Sequence, residues 1–144
     1  MRKLAIVILV LLAAAYVAGY WPQHRLLRAA QENAAQVQQQ LASAQTVARI
    51  CRLENNLLAL IGQTETQNYG NARGLSNAFF DDLRHEADRD QGAPYKADLE
   101  NILTQRDAIT AGLARTDAST VANLRQMLIQ MQQLVEKQAS QANL

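Results

Sequence analysis

Eighteen consecutive residues, Leu4 to Trp21, carry no charge, and they follow directly on Met1-Arg2-Lys3. A helix of that length, at about 1.5 Å per residue, covers about 27 Å, close to the roughly 30 Å hydrocarbon core of a bilayer. Tyr20 and Trp21 close the run with amphipathic rings suited to the membrane–water interface. His24, Arg25 and Arg28 then return the chain to water and headgroups. The sequence therefore predicts a transmembrane anchor over residues 1–21, with membrane lipid around the span from Leu4 to Trp21. A secretory signal peptide shares the basic start and the apolar stretch, with Ala13-Ala14-Ala15 or Val17-Ala18-Gly19 as its cleavage site. The apolar run continues past both sites, which favours the uncleaved anchor. Arg2 and Lys3 on one flank, against Arg25 and Arg28 on the other, leave a small positive-inside margin. That margin sets the C-terminal region outside the cytoplasm, in the periplasm if the cell is bacterial.

Beyond the anchor the chain is poor in large apolar groups. From Pro22 onward, Leu, Ile, Val and Phe number 27 of 123 residues, just above the fraction at which chains tend toward disorder. Such a chain buries a thin seam, not a thick core with a deep pocket. The formal net charge of +1 lacks the basic excess of a nucleic-acid binder, so no nucleic-acid partner is expected. The single Cys excludes an intrachain disulfide framework and a Cys-rich zinc site.

Pro22 suits the first turn of a helix. From there Leu27, Ala30, Ala34, Val37, Leu41, Ala44, Ala48 and Cys51 recur at spacings of three and four. This is the a/d seam of a heptad repeat, held for almost four heptads. Residues 22–49 thus read as an Ala/Gln-rich, coiled-coil-like stalk, and the eight seam residues as an interface to a second copy or a partner helix. Four of the eight are Ala, so an isolated dimer is expected to be weak. Cys51, at a d position, would meet its counterpart in a parallel dimer; alternatively it is a small buried hydrophobe.

After Ala48 the apolar set rotates to Ile50, Leu53, Leu57, Leu60 and Ile61. Helical stripes follow over 50–88, 96–114 and 119–137, with a turn expected at Asn68-Tyr69-Gly70-Asn71 and a break at Asp90-Gln91-Gly92-Ala93-Pro94. Asp117 or Ser119 is the expected cap of the last helix. Each stripe is too thin to stand alone, so the economical arrangement is an antiparallel three- or four-helix bundle over 50–138, followed by a disordered tail at 139–144. No segment alternates with period two long enough to make a strand. The fold class is all-α.

Asp81, His85 and Asp88 lie at helical spacing and are the one candidate metal set. One His without a second His or Cys, interleaved with Arg84 and Arg89, reads better as a solvated helix face. His24, Arg25 and Arg28 read as anchoring groups at the outer end of the span. No nucleophile elbow, phosphate loop or zinc-protease motif is present, so neither a catalytic residue nor a cofactor is expected. The expected role is that of a membrane tether or scaffold making protein contacts at the cell envelope. Such a rod, continuous from Pro22 to Gln67, would reach about 69 Å. A secreted or periplasmic helical binding module, freed by cleavage, is the alternative. In layout the chain resembles the inner-membrane component of phage lysis spanins, which also combine an N-terminal anchor with a helical external rod. Cys51 departs from that plan in lying far from the chain end.

Overall fold

The computed structural model describes the backbone of residues 2–90 and 93–142, and the side chains of 30–90 and 93–141. Five helices follow in order: α1 (Arg2–Glu65), α2 (Tyr69–Arg89), α3 (Lys96–Leu103), α4 (Arg106–Ala114) and α5 (Thr120–Ala142). No strand occurs among the described residues, in line with the all-α expectation. The chain divides into two compact units, Met1–Ala42 and Ser43–Leu144. Among the described residues no helix is long and apolar enough to cross a membrane. The run from Leu4 to Trp21, on which the expected span rests, lies outside the residues whose side chains are described.

In the first unit every described side chain, from residue 30 to 42, is exposed. The second unit is a bundle of four rods, the third formed by α3 and α4 end to end. Its directions follow from side-chain pairs. Arg49 meets Glu86 and Asn56 meets Asp82, so α1 and α2 run antiparallel. Asp81 meets Arg106, and Arg73 donates to the carbonyls of Leu113 and Ala114, so α3 and α4 return antiparallel to α2. Asp98 meets Lys137 and Gln105 meets Gln130, which reverses the chain once more in α5. Glu65 at the end of α1 pairs with Arg125 near the start of α5 and closes the bundle.

The core is built from one stripe per rod, as the sequence periodicity requires. Ile50, Leu53, Leu57, Leu60 and Ile61 come from α1, and Phe79, Phe80 and Leu83 from α2. Leu99, Ile102, Ile109 and Leu113 come from the third rod, and Leu124, Met127, Met131 and Leu134 from α5. Phe79 and Phe80 are adjacent in sequence and both fully buried, their rings 5.1 Å apart and edge-to-face. Each such ring contributes roughly 1.5–3 kcal/mol by burial, and the pair about 0.5–1.5 kcal/mol more.

Three boundaries differ from the sequence expectation. The first turn falls at 66–68, and Tyr69-Gly70-Asn71 already belong to α2. Gln67 holds a φ of 58°; its N–H donates to Thr64 and that of Asn68 to Gln63, a Schellman closure built without glycine. The stretch 96–114 is two helices, because the chain tightens at Thr104 and Gln105, where Gln105 N–H donates to Ile102. The last helix continues to Ala142, past residue 139 where a tail was expected. The break before Lys96 and the turn at Asp117 fall as expected; Asp117 Oδ1 accepts from the Ser119 N–H at 2.9 Å.

The second Schellman closure, after α4, places Thr116 at a φ of 54°. A β-branched residue is strained there, and glycine is not. Replacing Thr116 by Gly should raise stability by about 0.5–1 kcal/mol, read as a higher urea midpoint at unchanged slope. Gly112 lies where α4 meets α5, and an added Cβ would overlap Thr120 Oγ1 and sit 3.3 Å from Thr120 Cβ and Cγ2. Gly112→Ala gains about 1 kcal/mol of helix propensity against about 1–3 kcal/mol of overpacking, so a net loss is expected. The pair Gly112→Ala, Thr120→Ala should recover most of it in the same titration.

Candidate interaction surface

At about 100° per residue, one face of a helix bundle rod faces inward and the rest faces outward. On α1 the inward stripe is Ile50, Leu53, Leu57, Leu60 and Thr64, the last donating its hydroxyl to the Leu60 carbonyl at 2.8 Å. The heptad seam read from the sequence lies elsewhere on the same helix. Ala30, Ala34, Ala44 and Ala48 are exposed, Val37 is 62% and Leu41 58% exposed, and Cys51 is half-buried. The Leu27 side chain lies outside the described residues. The described part of the seam is therefore mostly uncovered, and none of its described residues enters the core. Leu58 is also exposed, at 43%, a feature the sequence reading missed because it followed the denser stripe after Ala48.

The second notable group is a clasp around Glu86, which is 5% exposed. Its Oε1 accepts from Arg49 Nε at 2.9 Å and from Tyr95 Oη at 3.1 Å, and its Oε2 accepts from Arg89 Nε at 2.9 Å. The clasp joins α1, α2 and the entry to α3. From the sequence the stretch from Asp81 to Arg89 reads as a solvated helix face. That Glu86 turns inward depends on Arg49 and Tyr95, 37 and nine residues away, and no local signal announces it. Burial works against the charge of Arg49, yet its hydrogen bonds to Glu86 and Tyr95 outweigh that and hold its pKa above the ordinary range. Burial likewise pushes the Tyr95 phenol above 10.0; the bond to Arg49 opposes the rise and the Glu86 charge adds to it. Both carboxylate oxygens accept hydrogen bonds from donors on different elements, which suits a strut between helices.

Asp81, His85 and Asp88 are all exposed, with Asp81 3.6 Å from Arg106. Among the described residues no group of three or more His, Cys, Asp or Glu is placed to hold a metal ion. A shallow groove of about 140 Å³ beside the clasp is lined by Arg49, Arg52, Asp82 and His85 among others. A second, of about 340 Å³, lies over Ile102 and Leu134 and is bridged by Lys137 and Asp98 at 3.0 Å. Neither gathers a nucleophile beside a base. Three of the four large hydrophobic side chains exposed among the described residues, Val37, Leu41 and Leu58, lie on α1. Comparison with known protein families, curated proteins and solved structures yields no match for this chain.

The clasp has a pH signature. A phenol whose folded pKa lies above its unfolded value of 10.0 contributes stability that is complete below pH 10 and lost as pH rises through the folded value. Wild-type stability should therefore fall on the alkaline side of pH 10. Tyr95→Phe should cost about 1 kcal/mol near neutrality and flatten that alkaline decline, followed by urea titrations from pH 7 to 11.

Proposed function

We propose that the chain is a single-pass, membrane-anchored helical tether that makes protein contacts at the cell envelope and performs no catalysis. The observation that carries this reading is the exposed apolar pair Val37 and Leu41, on a stretch of α1 whose described side chains are all exposed. A soluble monomer gains nothing from such a stretch, because its apolar groups stay in water. A tether gains from it, since anchoring two partners to one surface raises their effective concentration and lets a weak seam hold. The uncharged run from Leu4 to Trp21 supplies the anchor and sets the C-terminal region outside the cytoplasm. No cofactor enters this role. The helical bundle of the second unit, with its polar grooves, adds a further contact surface.

Extraction of membranes with alkaline carbonate, followed by mass spectrometry of the intact chain, tests the reading. The expected result is a chain that stays in the pellet with Met1 to Trp21 retained. A chain released into the supernatant with its N-terminus cut after Ala15 or Gly19 would replace the tether by a secreted or periplasmic binding module.

A further inference from the structure

Counting on from Cys51 in the same three-four rhythm reaches Asn55 and then Leu58. The a positions become Leu27, Ala34, Leu41, Ala48 and Asn55, and the d positions Ala30, Val37, Ala44, Cys51 and Leu58. Three of the four large hydrophobics that the described chain exposes, Val37, Leu41 and Leu58, fall on this one register. Within the bundle unit, the positions Ala44, Ala48, Cys51, Asn55 and Leu58 centre about 150° round α1 from the core stripe of Ile50 to Thr64. Burial in the bundle therefore does not explain the rhythm.

We infer that this face of α1 docks against the same face of a second copy, parallel and in register, with Asn55 against the second copy's Asn55. The inference deepens the tether reading and rests on it for the common direction of two copies anchored in one membrane. Three observations select the occupant. First, the e and g positions from Gln31 to Val47 (Gln31, Asn33, Gln38, Gln40, Gln45 and Val47) are all uncharged, and only Arg52 and Glu54 carry charge further along, so a strongly charged partner finds little to pair with. Second, the charged flanks Arg52 and Glu54 fall opposite Val47 and Ala59 of an in-register copy, so identical strands meet without like charges facing. Third, Asn55 is an exposed polar residue at an a position. In the parallel pair its amide meets an identical amide and both are satisfied. In the antiparallel pair that best matches the seam, with Leu27 against Leu58, it meets the methyl of Ala30 and is left unpaired. A single a-position Asn is a device that fixes register and two-stranded pairing at some cost in stability.

The test uses the full chain in its native membranes, oxidised with copper phenanthroline and resolved by non-reducing electrophoresis. The expected product is a reducible band at twice the 15.9 kDa chain mass, formed through Cys51. With Cys51→Ser as background, Ala44→Cys, Ala48→Cys and Leu58→Cys should each restore the band. Gln39→Cys, on the opposite side of the helix, should give at most about a tenth of the yield, as the heptad geometry requires. Asn55→Leu should keep the Cys51 band but add larger oligomers to it. Cross-linking of Val37→Cys in one tagged copy to Ala48→Cys in another, without a Cys51 band, would show antiparallel pairing and overturn the inference. Equal yields at seam and off-seam positions, or no band anywhere, would also overturn it. In both cases carbonate extraction still reads the anchor separately, and a chain found soluble is cross-linked in solution by the same scheme.

Discussion

The bundle depends on the burial of thin apolar stripes against one another, none of which holds alone. Each rod supplies a few large side chains; α2 supplies the fully buried aromatic pair Phe79 and Phe80, and Tyr95 at the entry to α3 adds a third aromatic ring. Two adjacent helical residues point about 100° apart, so burying both requires neighbours on two sides of α2. That requirement is met by packing α2 against α3 and α4 on one side and, through the Arg49 and Asn56 contacts, against α1 on the other. A helix with two buried directions makes the bundle close, and closure lets a chain with so few large hydrophobics keep a core at all.

Polar contacts then fix which arrangement closes. Glu86 is placed so that its carboxylate can satisfy Arg49, Arg89 and Tyr95 at once, tying the first two rods to the segment leading into the third. At the other end Glu65 and Arg125 hold α1 to α5, and Arg73 supplies donors to the terminal carbonyls of α4. The Leu113 carbonyl also accepts the Thr116 N–H that closes the helix, and a cation beside these terminal carbonyls suits the helix dipole. The exposed pairs contribute little energy individually. Their effect is on register, since each is possible in only one alignment of the rods.

The helices were legible in the sequence because the 3.6-residue rhythm is a direct image of one-sided burial. The break around Asp90 to Pro94 was legible because Pro94 bars the preceding residue from continuing a helix. The turn at 66–68 was not, since the left-handed position is filled by Gln67 while the visible glycines, Gly70 and Gly74, sit inside α2 with open space beside them. The interruption at Thr104 and Gln105 carries no glycine or proline either; it is a change of hydrogen-bond pattern that composition does not encode. The inward turn of Glu86 was hidden for another reason. A carboxylate reads as solvated until its partners, distant in sequence, are brought beside it. The three-four rhythm from Leu27 to Cys51 is legible in the sequence, whereas the exposure of Leu58 is hidden by the denser apolar set that begins at Ile50 on another face.

One consequence concerns how α1 opens to solvent over time. Its backbone hydrogen bonds are of one kind along its length, yet the side chains that guard them are not. Between Ile50 and Thr64 the helix loses its hydrogen bonds only when the core around Leu57 and Leu60 comes apart, so its amides exchange at the rate set by global unfolding. Between residues 30 and 42 no described side chain is buried, and the amides are protected only by the helix itself or by whatever covers its apolar face. Hydrogen exchange along this single helix is thus a gauge of occupancy. The bundle half reports the stability of the chain, and the exposed half reports whether anything covers it.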